Sequence, residues 1–311
     1  MKSNSNTEID RYYVPCENSI YIKNQNSSCS LQNLRKKKLS PSITKCGYPS
    51  DSQFASAFTT DDTVSAFGEF PWTAVVFAND EYICAGSLIH PKVVLTSALC
   101  VRSARQKYSV RVGEWDRNSI KEPLGYANQK VLFILIHPKY ETLNLFYNAA
   151  LLIVKHSFVL QPHIKTICLA NHSEKHVLNF YKSCVATGWG KNTPTGRFRF
   201  KMKKIQFSLI KQRICESQLR YSPLGMYYNL HKTFMCGINH QNYDICDGDN
   251  GGPFVCPVSE QPLRFQQFGI TSISIDCVGN YPTLFTKVSY VREWIDGEFD
   301  NLGYDKRYYQ M

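Results

Sequence analysis

Residues 246–253 read CDGDNGGP, a run in which two acids and an asparagine sit among three glycines. Loops of this composition hold calcium or phosphate in many proteins, and spacing tests both chemistries. A calcium loop starting at Asp247 would need an acid or amide at its fifth position and a glutamate at its twelfth, where Gly251 and Val258 stand. A phosphate loop needs Lys and then Ser or Thr behind its glycines, but Pro253 and Phe254 follow Gly252. Neither chemistry fits, and Asn250 at the centre of the run needs another explanation. A looser acidic group, Glu114, Asp116 and Glu122, offers hard oxygen donors to calcium or simply decorates a surface loop. No other metal or cofactor is implied.

Basic residues concentrate at two places. RFRFKMKK at 197–204 alternates basic with apolar residues, so a strand there puts Arg197, Arg199, Lys201 and Lys203 on one face. That face is either a stripe for acidic partners, acidic glycans among them, or plain solvated charge. RKKK at 35–38 lies in a polar stretch between Cys29 and Cys46, as a protease-accessible linker or as solvated linker charge.

The elements that must position these residues come from a 311-residue chain with 43% hydrophobic content and a formal charge of +11. That is enough for one large core and a small appendage. Twelve cysteines are spread singly, with no C-x-x-C pair, which favours a disulfide framework and an oxidising compartment over a zinc site. The opening MKSNSNTEIDRYY has no apolar signal-peptide core, so a secreted chain would have a missing or removed start. The longest apolar run, VLFILI at 131–136, is far short of the about 20 residues a membrane helix needs. No stacking module or motif supports nucleic-acid binding. From Cys46 onward, short β-branched and aromatic runs such as WTAVVFA, YICAGSLI, ALLIVK and PTLFTKV recur between turn signals, which predicts an all-β barrel or sandwich. SYVREWIDGEF at 289–299 instead places Val291, Trp294, Ile295 and Phe299 near helical spacing behind a serine cap.

Together, GEFPW at 68–72, GSLIHPKVVLTSALC at 86–100, VRVGEWD at 110–116, NAALLIV at 148–154, CVATGWGK at 184–191 and CDGDNGGP resemble, in order, the landmarks of the trypsin-like serine proteases. Within that family the chain is most similar to the clip-domain serine protease homologues of arthropods. The resemblance implies two antiparallel six-stranded β-barrels with a cleft between them and a C-terminal helix. It implies a homologue domain over 46–298, a short irregular clip-like remnant with its basic linker over 1–45, and a tail over 299–311.

The family's acyl-transfer chemistry needs a nucleophile, a base and an orienting acid. The resemblance puts Leu99 at the base, Asn148 at the acid and Asn250 at the nucleophile, so all three roles stand vacant. Gly248 and Asn250 fall at the former oxyanion hole. In the family, a freshly cut amino terminus pairs with the aspartate before the nucleophile; here that aspartate is Asp249, while Phe58 and TTDD at 59–62 leave nothing basic to cut. Asp249 should therefore find another donor or hold a zymogen-like loop. Asp244 stands where the family places an acid for basic substrates, but Ile273, Ser274 and Thr283 replace residues that keep the slot open, so Asp244 is expected to be solvated or internally paired. The resemblance pairs Cys84 with Cys100, Cys184 with Cys256, Cys215 with Cys236, Cys246 with Cys277, and Cys46 with Cys168. Cys16 and Cys29 are left over, and sequons stand at Asn26 and Asn171.

What the resemblance implies is a secreted, inactive homologue that binds protein partners as a cofactor or regulator of an extracellular proteolytic cascade, in innate immunity and melanisation. The alternatives are a reproductive or haemolymph recognition protein for acidic glycans or microbial surfaces, and a residual hydrolase with another nucleophile. Oligomeric state is left open.

Overall fold

The computed structural model describes residues 45–50, 62–103, 105–171, 183–239, 244–260 and 263–311. Asn26, Cys16, Cys29, the RKKK run and the junction at 58–61 lie outside the described residues.

The first six strands are β1 (Thr73–Ala78), β2 (Glu81–His90), β3 (Val93–Thr96), β4 (Tyr108–Val112), β5 (Ala127–Ile136) and β6 (Ala150–Val154). They close an antiparallel barrel in the order β1-β2-β3-β6-β5-β4. Asn79 and Asp80 make the tight β1–β2 turn at φ 50° and 67°, a left-handed conformation that short polar side chains tolerate. β3 and β6 are buried along their whole lengths. Alternation explains this: Val94 and Leu152 join the core inside the barrel, while Leu95, Leu151 and Ile153 join a second cluster with Ile205, Phe254 and Phe285 from the other half of the fold.

That other half contains β7 (Cys168–Leu169), β8 (Cys184–Gly188), β9 (Lys203–Ile210), β10 (Phe234–Ile238), β11 (Pro253–Glu260), β12 (Leu263–Ile273) and β13 (Thr283–Lys287). The order β11-β8-β9-β10-β13-β12 closes through an additional β11–β12 pairing, and β7 adds in parallel to β12. The chain therefore has two closed six-stranded barrels that share one apolar interface. Five disulfides hold them: Cys46–Cys168, Cys84–Cys100, Cys184–Cys256, Cys215–Cys236 and Cys246–Cys277.

Two helices are present among the described residues, α1 (Gln212–Leu219) and α2 (Val288–Leu302). α1 escapes sequence reading because a helix of eight residues, burying only Cys215 and Leu219, carries little periodicity. α2 buries Val288, Val291, Ile295 and Phe299, one stripe at helical spacing. Its cap is Lys287 and makes no side-chain cap bond, so the expected serine cap is displaced and Ser289 lies within the helix. The boundary placed at 298 cuts through α2. Residues 299–311 are packed structure: Phe299 and Tyr309 are fully buried, the Leu169 amide donates to the Tyr309 carbonyl at 2.9 Å, and His90 stacks on Tyr304. No helix among the described residues is long and apolar enough to cross a membrane.

Candidate functional site

The loop CDGDNGGP runs into β11 with one of its two acids, Asp249, turned inward and the other, Asp247, exposed. Asp249 fits behind the loop only because Gly188 and Gly190 lack side chains; a Cβ on either would run into the Asp249 carboxylate. Its Oδ1 accepts from the Gly190 amide at 2.8 Å, and its Oδ2 accepts from the Cys246 amide at 3.0 Å. The third partner is Lys203, whose Nζ lies 2.6 Å from Oδ2 with both side chains 0% exposed. The same ammonium donates to the carbonyls of Lys191 at 2.8 Å and Asp244 at 3.3 Å. Its three protons thus meet three acceptors, which is the condition under which a buried ion pair is tolerated.

This geometry corrects the basic stripe. The strand begins at Lys203, not at Arg197, and Lys203 points into the protein. Arg197 remains exposed, Arg199 is half-buried with its guanidinium on Thr63 at 3.4 Å, and Lys201 lies 4.9 Å from the Trp115 ring. The alternation of RFRFKMKK therefore does not bring four cations to one surface. It is a loop whose Phe198 ring packs edge-on to Tyr82 at 5.2 Å and covers Gly248. Gly248, at φ 94°, is fixed on its carbonyl by the Tyr82 hydroxyl, which donates at 2.6 Å. Burial, and after it the charge of Asp249, holds that hydroxyl protonated well above the usual tyrosine range.

The three positions that the resemblance assigns to a triad occupy one corner at the 246–253 loop. Leu99 sits in a short 3-10 turn, Ala98–Val101, directly after β3 and is half-buried. Asn148 precedes β6 and is fully buried. Its Oδ1 accepts from the Ser97 hydroxyl at 2.8 Å and from the Leu99 amide at 3.0 Å, while its Nδ2 donates to the Ser272 hydroxyl at 2.8 Å. Asn250 is half-buried, and its carbonyl accepts from the Ala85 amide at 3.0 Å. An alkyl chain accepts no proton. A carboxamide has no charge with which to hold an imidazolium, and its nitrogen, with a lone pair spread into the carbonyl, attacks no acyl group.

Asp244 is buried and internally paired. Its Oδ2 accepts from the Thr283 hydroxyl at 2.6 Å and its Oδ1 from the Ile245 amide at 2.6 Å. Burial raises its pKa to about 6 against those bonds. Ile273 packs on the apolar cluster around Leu284, Ser274 accepts from the Cys277 amide at 3.3 Å, and Asp244 itself is only 1% exposed.

The acidic group after β4 is likewise engaged by the protein. Glu114 pairs with Arg111 at 2.7 Å, Glu122 accepts from the Trp115 and Asp116 amides at 2.8 and 2.7 Å, and Asp116 accepts from the Asn118 amide at 3.1 Å. Burial, with Glu114 beside it, raises the Glu122 pKa to about 7. Among the described residues, no three His, Cys, Asp or Glu side chains gather as a metal site. Asn171 is exposed.

The sequence left Asp249 either another donor or a zymogen-like loop, and it did not point to Lys203 as the donor. Only the need to neutralise a buried acid could have pointed to Lys203, because period-2 alternation assigned that lysine to solvent.

The chain matches the trypsin family over residues 60–295. It is 33% identical over 281 residues to phenoloxidase-activating factor 2 of Galleria mellonella, which covers 85% of this chain and 92% of that protein. It is 29% identical over 259 residues to an inactive CLIP domain-containing serine protease of Anopheles gambiae, covering 81% of this chain and 67% of that one. A second Anopheles gambiae protein with the same description is 27% identical over 269 residues, covering 83% and 72%.

Proposed function

The chain belongs to the trypsin family, and from that premise we propose that it acts by binding and not by hydrolysis, as a cofactor or regulator of an extracellular proteolytic cascade. One observation carries the reading: the position of the general base is Leu99, whose side chain cannot take a proton from any nucleophile at residue 250. The hydrogen-bonded Asn148 and the carboxamide of Asn250 support it. The descriptions of the relatives, inactive proteases and a phenoloxidase-activating factor, favour an immune, melanisation-type cascade with protein partners. Five disulfides suit an oxidising, extracellular compartment.

The Lys203–Asp249 pair adds a regulatory consequence. The loop at 246–253 has its counter-ion built into the chain, so its shape does not wait for a new amino terminus. The test is hydrolysis of basic peptide substrates by purified chain, with and without limited trypsin treatment, beside the Asn250→Ser variant. Neither protein should turn over substrate, because the serine still lacks a base and an orienting carboxylate. Turnover by the parent would overturn the reading.

A further inference from the structure

β5 is longer than its neighbour. β4 pairs only with Ala127–Lys130, at the start of the strand. From Val131 to Ile136, β5 bonds β6 on one side, and among the described residues no backbone group pairs with its other side. This leaves an open strand edge of roughly 20 Å at about 3.4 Å per residue. Where the next strand would lie, between this edge and residues 101–109, there is a groove of about 870 Å³.

The lining of the groove has a definite chemistry. Leu132, Phe133 and Ile136 are 62%, 37% and 39% exposed along the edge, with Leu132 at an irregularity in the β5–β6 register. Arg102, Lys107 and Lys130 line it and have no carboxylate partner among the described residues, while Asp80 is the one acid there. Proteins normally blunt or cover an edge that carries apolar side chains.

We propose that this edge is a docking site for an extended segment of a partner protein that carries both apolar and acidic residues, taken up as an added strand beside β5. Free backbone groups supply the ladder. Leu132 and Phe133 on the edge meet apolar side chains of the added strand, and the basic rim favours acidic ones. The site deepens the binding reading and rests on it only in taking a protein as partner; hydrolysis at the cleft would leave it untouched.

The test selects a phage-displayed random-peptide library on the immobilised full chain and synthesises the enriched peptide. The expected peptide combines acidic with apolar residues and slows amide exchange across 131–136. It should bind about tenfold more weakly to a Lys107→Glu/Lys130→Glu variant of unchanged melting temperature. Three results would overturn the proposal: no enriched peptide, protection of 246–252 in place of 131–136, or amides at 131–136 that in the free chain already exchange as slowly as those of β6, meaning that the edge is covered by the chain itself.

Discussion

The two sides of the 246–253 loop are held in different ways. On the side of Leu99 and Asn148 a hydrogen-bond frame stands without a charge or a base: Asn148 ties Ser97, the Leu99 amide and Ser272 together. Behind the loop, the acid Asp249 persists, and a side chain of β9 supplies its cation. The difference reflects energetics. A vacant catalytic role costs no stability, whereas a buried carboxylate without a partner costs several kcal/mol.

The largest expected effect breaks the second side. Lys203→Met leaves Asp249 buried and unpaired and should destabilise the chain by about 3–5 kcal/mol in chemical denaturation, with much of the loss recovered when Asp249→Asn is added. An equal loss in the double variant would show that the pair is not what holds the loop. On the triad side, Asn148→Ala strips an acceptor from Ser97 and Leu99 and a donor from Ser272; the expected cost is smaller, about 2–3 kcal/mol.

A third effect depends on pH. Asp244 holds its proton to about pH 6 in the folded chain because burial outweighs its bonds to Thr283 and Ile245, whereas an unfolded aspartate titrates near 3.9. The folded state thus binds this proton more tightly. Its contribution to stability is present below about pH 4 and is lost as pH rises toward 6. Asp244→Asn should therefore gain stability relative to the parent across that interval, on the order of 2 kcal/mol. A difference independent of pH would place the proton elsewhere. The smallest effect is Arg197→Glu, which should move the unfolding free energy by less than about 0.5 kcal/mol, since this exposed cation holds nothing in place.

The all-β class was legible because short β-branched runs between turns carry period-2 and boundary signals that survive without tertiary context, whereas the choice of two barrels over a sandwich came from the resemblance. Leu99, Asn148 and Asn250 could be singled out because each stands inside a run that resembles a family motif. Lys203 was not. Its alternating neighbours read as a strand face, but the strand starts only at Lys203, and its ammonium crosses to a loop 46 positions later in sequence. Local pattern has no access to such a long-range demand. The same holds for residues 299–311, whose burial depends on His90, Leu169 and Asp296.

The most direct measurement of the central claim, a shaped cleft without a nucleophile, is the stoichiometry of active-site fluorophosphonate labelling on the intact chain, read by mass spectrometry. The account predicts no adduct at Asn250 or at any residue of the 246–253 loop, before or after limited proteolysis. One adduct per chain in the cleft would contradict it.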